Sequence, residues 1–193
     1  VHLVDVSAAA LGDAARGLSG FDSLRIIAHE ARYEVGLSQV AESAGSDGNT
    51  LVLFLGSNIG NFDQEAAITF LRGVRATLRP GDGLLLGADL RKPEEALLLA
   101  YDDPLGVTAA FNLNLLVRLN RELSADIDLS GFRHEALWNE ERSRVEMHIV
   151  STRSQRVRIR GAGVDVTLRE GERIWTESSY KFDPLGVSRL LER

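Results

Sequence analysis

Five apolar residues run unbroken through residues 51–55 (LVLFL) and stop at a Gly-Ser-Asn-Ile-Gly-Asn turn. A short continuous apolar run reads as a strand buried on both faces, as in a parallel sheet flanked by helices. Ala67, Phe70, Leu71, Val74 and Leu78 then recur at helical spacing, Pro80 and Gly81 close the segment, and a second strand is predicted at residues 83–87. Strand, polar glycine loop, helix and strand make a βαβ unit. Open α/β sheets take ligands at the carboxyl ends of their strands, which is where residues 56–61 fall. A tight connection whose glycines only let the chain turn satisfies the same residues.

The composition narrows the function classes. A formal charge of −6 argues against general affinity for nucleic acid, and no run approaches the roughly 20 apolar residues that a membrane span needs. The chain has no cysteine, so disulfides, thiolate zinc sites and a cysteine nucleophile are excluded, in keeping with a cytoplasmic setting. A monomer is expected. With 193 residues there is room for one core and a second small lobe. The sequence opens at Val1 inside a strand-like stretch, VHLVD, with no signal or transit pattern, and an upstream segment is expected.

Residues 1–6 read as a strand ending near Asp5, with Ser7 placed to cap an alanine-rich helix over 8–18. An acidic residue closing such a strand holds nucleotide ribose hydroxyls in Rossmann-type folds; at a helix start it is equally a carboxylate favoured by the dipole. Residues 24–28 read as a further short strand, followed by a loop carrying His29, Glu30, Arg32 and Tyr33, whose ring can stack on a base or simply lie on the surface. Residues 42–49 are polar and glycine-rich, a loop. Pro93, Glu94 and Glu95 start a helix that ends at Tyr101-Asp102-Asp103. Adjacent carboxylates invite a metal, but neighbours on a chain point apart and no third ligand stands at a suitable spacing. A helix over 107–123 is predicted with Thr108 as its cap and a stripe of Phe111, Leu115, Leu119 and Leu123 beside Leu116. Asn112 and Asn114 read as its solvated face.

From Phe132 the period changes to two. Alternating segments separated by Asn139-Glu140, Gly161-Ala162-Gly163 and Glu170-Gly171 predict an antiparallel meander, unlike the parallel first half. The row Arg156, Arg158, Arg160 reads as the wet face of a strand rather than a phosphate site. Residues 184–191 begin one more helix. The four histidines are scattered, HExxH and the Walker A pattern are missing, and Ser57 does not stand in GxSxG. No catalytic side chain and no metal are expected, which leaves chemistry that needs mainly positioning.

Several segments together resemble the histidine-specific Nα-methyltransferases of ergothioneine biosynthesis, which use S-adenosylmethionine. They are VDVS at 4–7, FLGSNIGNF at 54–62, LRPGDGLLLGADL at 78–90, AYDDPLGVTAAFNLNLL at 100–116, LNRELSADIDL at 119–129, VEM at 145–147 and TESSYKF at 176–182. They cover most of the chain in one order. The resemblance implies an α/β fold, a Rossmann-like methyltransferase sheet that is incomplete at its N-terminal part, with an α+β antiparallel insertion. Residues 1–104 would form the partial cofactor domain, 105–182 the substrate lobe and 183–193 a return helix.

The resemblance also implies roles. Asn61 and Tyr101 would hold the carboxylate of the amino acid, with Gly56 beside them. Met147, Glu177 and Ser179 would line the imidazole pocket. A carboxylate plus a hydroxyl suits that ring, which offers one N–H and one acceptor nitrogen. Asp5 would take the cofactor ribose, and Arg32 and Tyr33 fall at the adenine; Arg32 replaces an acid there, and Glu30 is the alternative partner. Asn58 stands where threonine is frequent. The reaction implied is transfer of methyl groups to the α-amine of histidine, giving trimethylhistidine (hercynine). The family's first strand, its glycine-rich cofactor loop and its amine-side tyrosines fall before Val1, so this stretch alone is expected to be inactive. A methyltransferase for another amino acid and a catalytically silent binding module are the rival readings.

Overall fold

The computed structural model describes residues 1–43 and 48–192, which divide into two compact units. The first comprises Val1–Leu55, Gln64–Leu86 and the chain from Ser188 onward; the second comprises Gly56–Asp63 and Gly87–Val187.

In the first unit, β1 (His2–Asp5) pairs in parallel with β2 (Ile27–Glu30) across α1 (Ala8–Leu18). Ser7 caps α1 by accepting from the Ala10 N–H at 3.2 Å. The strand predicted at 24–28 lies about three residues later than the sequence suggests, because pairing with β1 begins where the Ile27 N–H meets the Val1 carbonyl. His29 and Glu30 are therefore strand residues. Tyr33 opens α2 (Tyr33–Ser43), a helix in place of the predicted loop. Its polar sequence hides a short inward face: a Cβ on Gly36 would collide with Val4, so only glycine lets α2 lie this close to β1. Glu42 ends in that helix, while residues 44–47 of the predicted 42–49 loop lie outside the described residues.

Also in the first unit, β3 (Leu51–Phe54) and β4 (Gly83–Leu86) pair in parallel across α3 (Gln64–Thr77), whose Ala67, Phe70, Leu71 and Val74 are buried as the helical spacing predicts. The expectation that β3 is buried on both faces fails. Phe54 is buried, but Leu51, Leu53, Leu55 and Leu85 are exposed, because the two-stranded ladder has a layer on one face only among the described residues.

The second unit is built on a three-stranded antiparallel sheet, β5 (Phe132–Asn139), β6 (Arg144–Ser151) and β9 (Arg173–Tyr180), in the order β5-β6-β9. β7 (Gln155–Ile159) and β8 (Val164–Leu168) form a separate hairpin. The predicted meander is thus interrupted: β9 returns to β6 rather than pairing with its sequence neighbour. On the hairpin Arg156 pairs with Asp165 and Arg158 with Asp126, at the surface, as a wet strand face should.

Strand alternation puts Phe132, His134 and Ala136 of β5 on one sheet face with Val145, Met147 and Ile149 of β6. The helices α4 (Glu94–Tyr101) and α5 (Val107–Leu123) pack on β5 and β6. Leu116 joins Ile127, Phe132, Ile149, Val157 and Leu168 in one cluster; Leu97, Ala136 and Val145 form another with Tyr101 and Trp138 against it. The inward stripe of α5 is Asn112 and Leu116, with Leu113 and Leu119 partly covered, whereas Phe111 and Leu115 face outward. The predicted stripe is rotated because a buried polar pair fixes the helix. Asn112 donates through Nδ2 to His134 Nδ1 at 2.9 Å and to the His148 carbonyl at 3.1 Å. That leaves His134 Nε2–H to donate to the Tyr101 carbonyl at 2.7 Å. Thr108 lies inside α5; the N-terminal amides are capped by Asp103, whose carboxylate accepts from the Val107 and Thr108 N–H groups. Those two bonds hold its carboxyl down at about 2.

Candidate active site

A hollow of about 600 Å³ opens within the second unit, lined by Gly56, Ser57, Asn58, Asn61, Gly87, Ala88, Asp89, Tyr101, Glu177, Ser179 and Lys181. Three backbone arrangements bring these residues together. The first is the turn at residues 56–61. Gly56 and Ser57 both adopt positive φ, 72° and 60°, which reverses the chain; glycine does so freely and serine at a cost. The Ser57 hydroxyl accepts the Asp89 N–H at 2.9 Å, tying residues 87–89 to the turn. A short 3-10 segment, Asn58–Asn61, then carries Asn61 to the rim with Ile59 fully buried.

The second arrangement is alternation along β9. Residues two apart share a face, so Glu177, Ser179 and the following Lys181 all point to the hollow. The third is the end of α4, where Tyr101 is the last helical residue and its carbonyl is held by His134.

The side chains form a connected polar cluster. The Lys181 ammonium is almost completely buried, 1% exposed, and donates to Tyr101 Oη at 2.7 Å and Ser179 Oγ at 3.0 Å, with Asp89 Oδ2 at 3.1 Å. The Tyr101 hydroxyl in turn donates to Ser179 at 2.8 Å. Burial works to raise the Asp89 carboxyl, but Lys92 and Lys181 outweigh it and hold the group below its ordinary range. Glu177 is different. Burial pushes its carboxyl up, the Lys181 charge offsets part of that, and among the described residues no hydrogen bond reaches its carboxylate. A half-buried acceptor without a protein partner is what a ligand donor requires.

Of the residues singled out from sequence, Gly56, Asn61, Tyr101, Glu177 and Ser179 line this one hollow. Met147 is buried directly opposite Glu177 in the β6–β9 register, part of the floor of that sheet face rather than of the lining. The remaining three lie in the first unit. Asp5 closes β1 with Oδ1 accepting the Ser7 N–H at 2.7 Å. A carboxylate at the carboxyl end of a parallel strand fits the ribose hydroxyls of a nucleoside cofactor. Tyr33 sets its ring edge-on to Phe54 and Phe70, so it is an anchor of the aromatic core as well; burial, then Asp5 and Glu34, push its phenol up. Arg32 is exposed. Tyr101-Asp102-Asp103 does not build a metal site: Asp103 is spent on capping α5, and among the described residues no group of three metal-binding side chains exists.

Residues 3–193 match the family model described as histidine-specific methyltransferase, SAM-dependent. The chain belongs to this family. Its relatives include the histidine N-alpha-methyltransferase of Mycolicibacterium smegmatis, 49% identical over 140 residues, which are 72% of this chain and 44% of that protein. The protein of the same name from Mycobacterium tuberculosis is 46% identical over 144 residues, 75% of this chain and 45% of its own length. Ergothioneine biosynthesis protein 1 of Schizosaccharomyces pombe is 35% identical over 91 residues, 47% of this chain and 12% of its own. The match thus spans less than half the length of the bacterial relatives. S-adenosylmethionine is the cofactor of the family.

Sequence reasoning missed Lys181, Asp89 and Ser57 as members of this site. Lys181 carried a signal, since it continues the Glu177, Ser179 alternation by one step; Asp89 and Ser57 carried none, because their bond joins residues 32 apart. The turn that holds Asn61 also depends on Gly60. A Cβ there would stand 2.8 Å from the Tyr180 carbonyl oxygen, a backbone atom that cannot swing away. Gly60→Ala is therefore expected to lift the turn off β9 at a cost of about 1–3 kcal/mol, read as a lower melting temperature together with weakened ligand binding.

Proposed function

We propose that this chain forms part of an enzyme that transfers methyl groups from S-adenosylmethionine to the α-amine of histidine, giving trimethylhistidine. The observation that carries the reading is the hollow in which Asn61, Tyr101, Glu177 and Ser179 converge, in a chain of this family. Asn61 and Tyr101 border the carboxylate end of the amino acid. Glu177 and Ser179 border its ring, over a floor that includes Met147, whose thioether suits a flat ring.

S-adenosylmethionine, when bound, supplies an electrophilic methyl group on its sulfonium. Asp5 would hold its ribose, and the two parallel ladders with their helical crossovers support a Rossmann-like cofactor sheet to which the antiparallel unit is an insertion. The amino acid must present a neutral amine. Gripping it at carboxylate and ring fixes the amine between two anchored ends, so orientation carries most of the catalysis and no strong acid or base is needed.

Calorimetry of the full-length protein tests this. S-adenosylmethionine and histidine are expected to bind, with tryptophan weaker by about tenfold or more, because its ring offers no acceptor nitrogen. Silence with all three ligands would favour a binding module, and tighter binding of tryptophan would move the activity to another amino acid.

A further inference from the structure

The amino acid that this reaction needs is an anion. Its α-amine must be neutral to attack, so the carboxylate loses the ammonium that balances it in the free zwitterion. Two residues lining the hollow, Asp89 and Glu177, are themselves carboxylates, and among the described residues Lys181 is the one cationic side chain in the lining. That ammonium is 1% exposed, where solvent screens it little. Its three hydrogens are directed to Tyr101 Oη at 2.7 Å, Ser179 Oγ at 3.0 Å and Asp89 Oδ2 at 3.1 Å, so a ligand cannot reach it directly. Asp89 balances it only in part, because the other oxygen of that carboxylate is taken by Lys92. The remaining charge is felt across the hollow, where it offsets part of the upward push that burial exerts on Glu177.

We infer that Lys181 is a positioning residue for the carboxylate of the ligand: buried beneath the Tyr101 hydroxyl, it supplies through that hydroxyl the positive charge that an anionic group needs at this end of the hollow. This rests on the proposed reading of the site, with the carboxylate at Asn61 and Tyr101, and adds what makes that end cationic. A hydroxyl that accepts from an ammonium is polarised, and its own hydrogen becomes a stronger donor to an anion. The ammonium also stands 4.7 Å from the Tyr101 ring centre, so one cation holds both the ring and its hydroxyl. The direction of the contact between the two hydroxyls does not enter. Lys181 donates to both oxygens, so when the Tyr101 hydrogen turns to a carboxylate, the Ser179 hydroxyl can donate to Tyr101 in its place. Alternation from Glu177 through Ser179 to Lys181 thus gives the hollow a negative and a positive end, for the ring N–H and the carboxylate of one ligand.

The test is calorimetry on the full-length protein with histidine and with histidinamide, which keeps the ring, the amine and a carbonyl acceptor but lacks the negative charge. The wild-type protein is expected to prefer histidine by about tenfold or more. Removing Lys181 alone would leave Asp89 to repel the ligand, so the deciding variant is Lys181→Met/Asp89→Asn, which removes the ion pair whole. Its preference should shrink to about threefold or less, with the loss falling on histidine. Lys181→Gln/Asp89→Asn, which returns a hydrogen-bond donor without the charge, should show the same reduced preference and serves where methionine does not pack. In a Tyr101→Phe background the paired substitution should change the preference no further. A merely structural role would weaken both ligands alike. Equal weakening of both, a wild-type preference kept in either paired variant, or no preference in the wild-type protein overturns the inference and leaves the histidine site standing. Histidine binding untouched by Tyr101→Phe, or no histidine binding at all, overturns the proposed placement of the amino acid, and this inference with it.

Discussion

Glu177→Gln is expected to weaken histidine binding by about tenfold or more while leaving the free protein folded and slightly more stable at neutral pH. The two effects have one cause. The Glu177 carboxylate is half-buried, no hydrogen bond reaches it among the described residues, and Lys181 offsets only part of the cost, so its carboxyl is raised. A carboxyl raised by folding contributes stability below its unfolded pKa and loses it as pH climbs through the folded value. The wild-type protein therefore gives up stability on that limb, and the glutamine variant, which never ionises, does not. Melting temperatures of the two should converge as pH falls well below the ordinary glutamate value of about 4.3, where the carboxyl is neutral in both folded and unfolded chains, and separate in favour of the variant as pH rises. Histidine reverses the balance, because its ring N–H supplies the donor that the carboxylate lacks; glutamine can accept, but without charge. Unchanged histidine affinity in Glu177→Gln would remove Glu177 from the site, and a variant less stable than wild type at pH 8 would refute the account of its burial.

That trade explains why the site was partly legible in the sequence. Glu177 and Ser179 share a strand face by alternation, a signal any two-residue period carries, and Lys181 could have been read from the same pattern. The turn at residues 56–61 was legible as a place for a ligand, since it closes an apolar strand, but a tight connection fits the same residues, and the resemblance singled out Gly56 and Asn61 within it. Tyr101 was not legible from spacing at all: only the resemblance placed it, and what fixes it is a buried path from Asn112 through His134 to its carbonyl. Asn112 shows the reason for the failure on α5. A polar residue on a helix is ordinarily assigned to solvent, and its two inward bonds are made to residues 22 and 36 positions away. The β6–β9 pairing was hidden likewise, since local alternation identifies strands but not partners. On β3 the error ran the other way. Continuous apolarity records an environment in which both faces are covered, whereas the ladder seen in the first unit has one.

The largest loss of stability in the second unit is expected from Arg144→Met, about 3–5 kcal/mol. Arg144 opens β6 with its guanidinium 4.4 Å from the Trp175 ring centre, donates to Tyr180 Oη at 2.7 Å and pairs with Glu146 at 2.6 Å. The side chains of the pair are 10% and 14% exposed, so removing the cation leaves a buried carboxylate with only the Asn139 amide at 2.9 Å and His148 Nε2 at 3.4 Å beside it among the described residues. In the wild-type protein burial works to raise the Glu146 carboxyl, but Arg144 and Asn139 prevail and hold it down. A depressed carboxyl stabilises above its unfolded pKa and loses that contribution as pH falls through the folded value. In Arg144→Met the larger part of the downward pull is gone and only the Asn139 amide and the more distant His148 oppose burial, so the sign is expected to reverse: protonating Glu146 then relieves a cost. The deficit against wild type, measured by urea unfolding followed through circular dichroism, should therefore be largest near pH 8 and shrink towards pH 5. Arg144→Met/Glu146→Gln should recover most of the loss at pH 8, because no stranded charge remains. A deficit that the second substitution leaves untouched would mean that Arg144 acts through its contact with Trp175 and Tyr180 rather than through the ion pair.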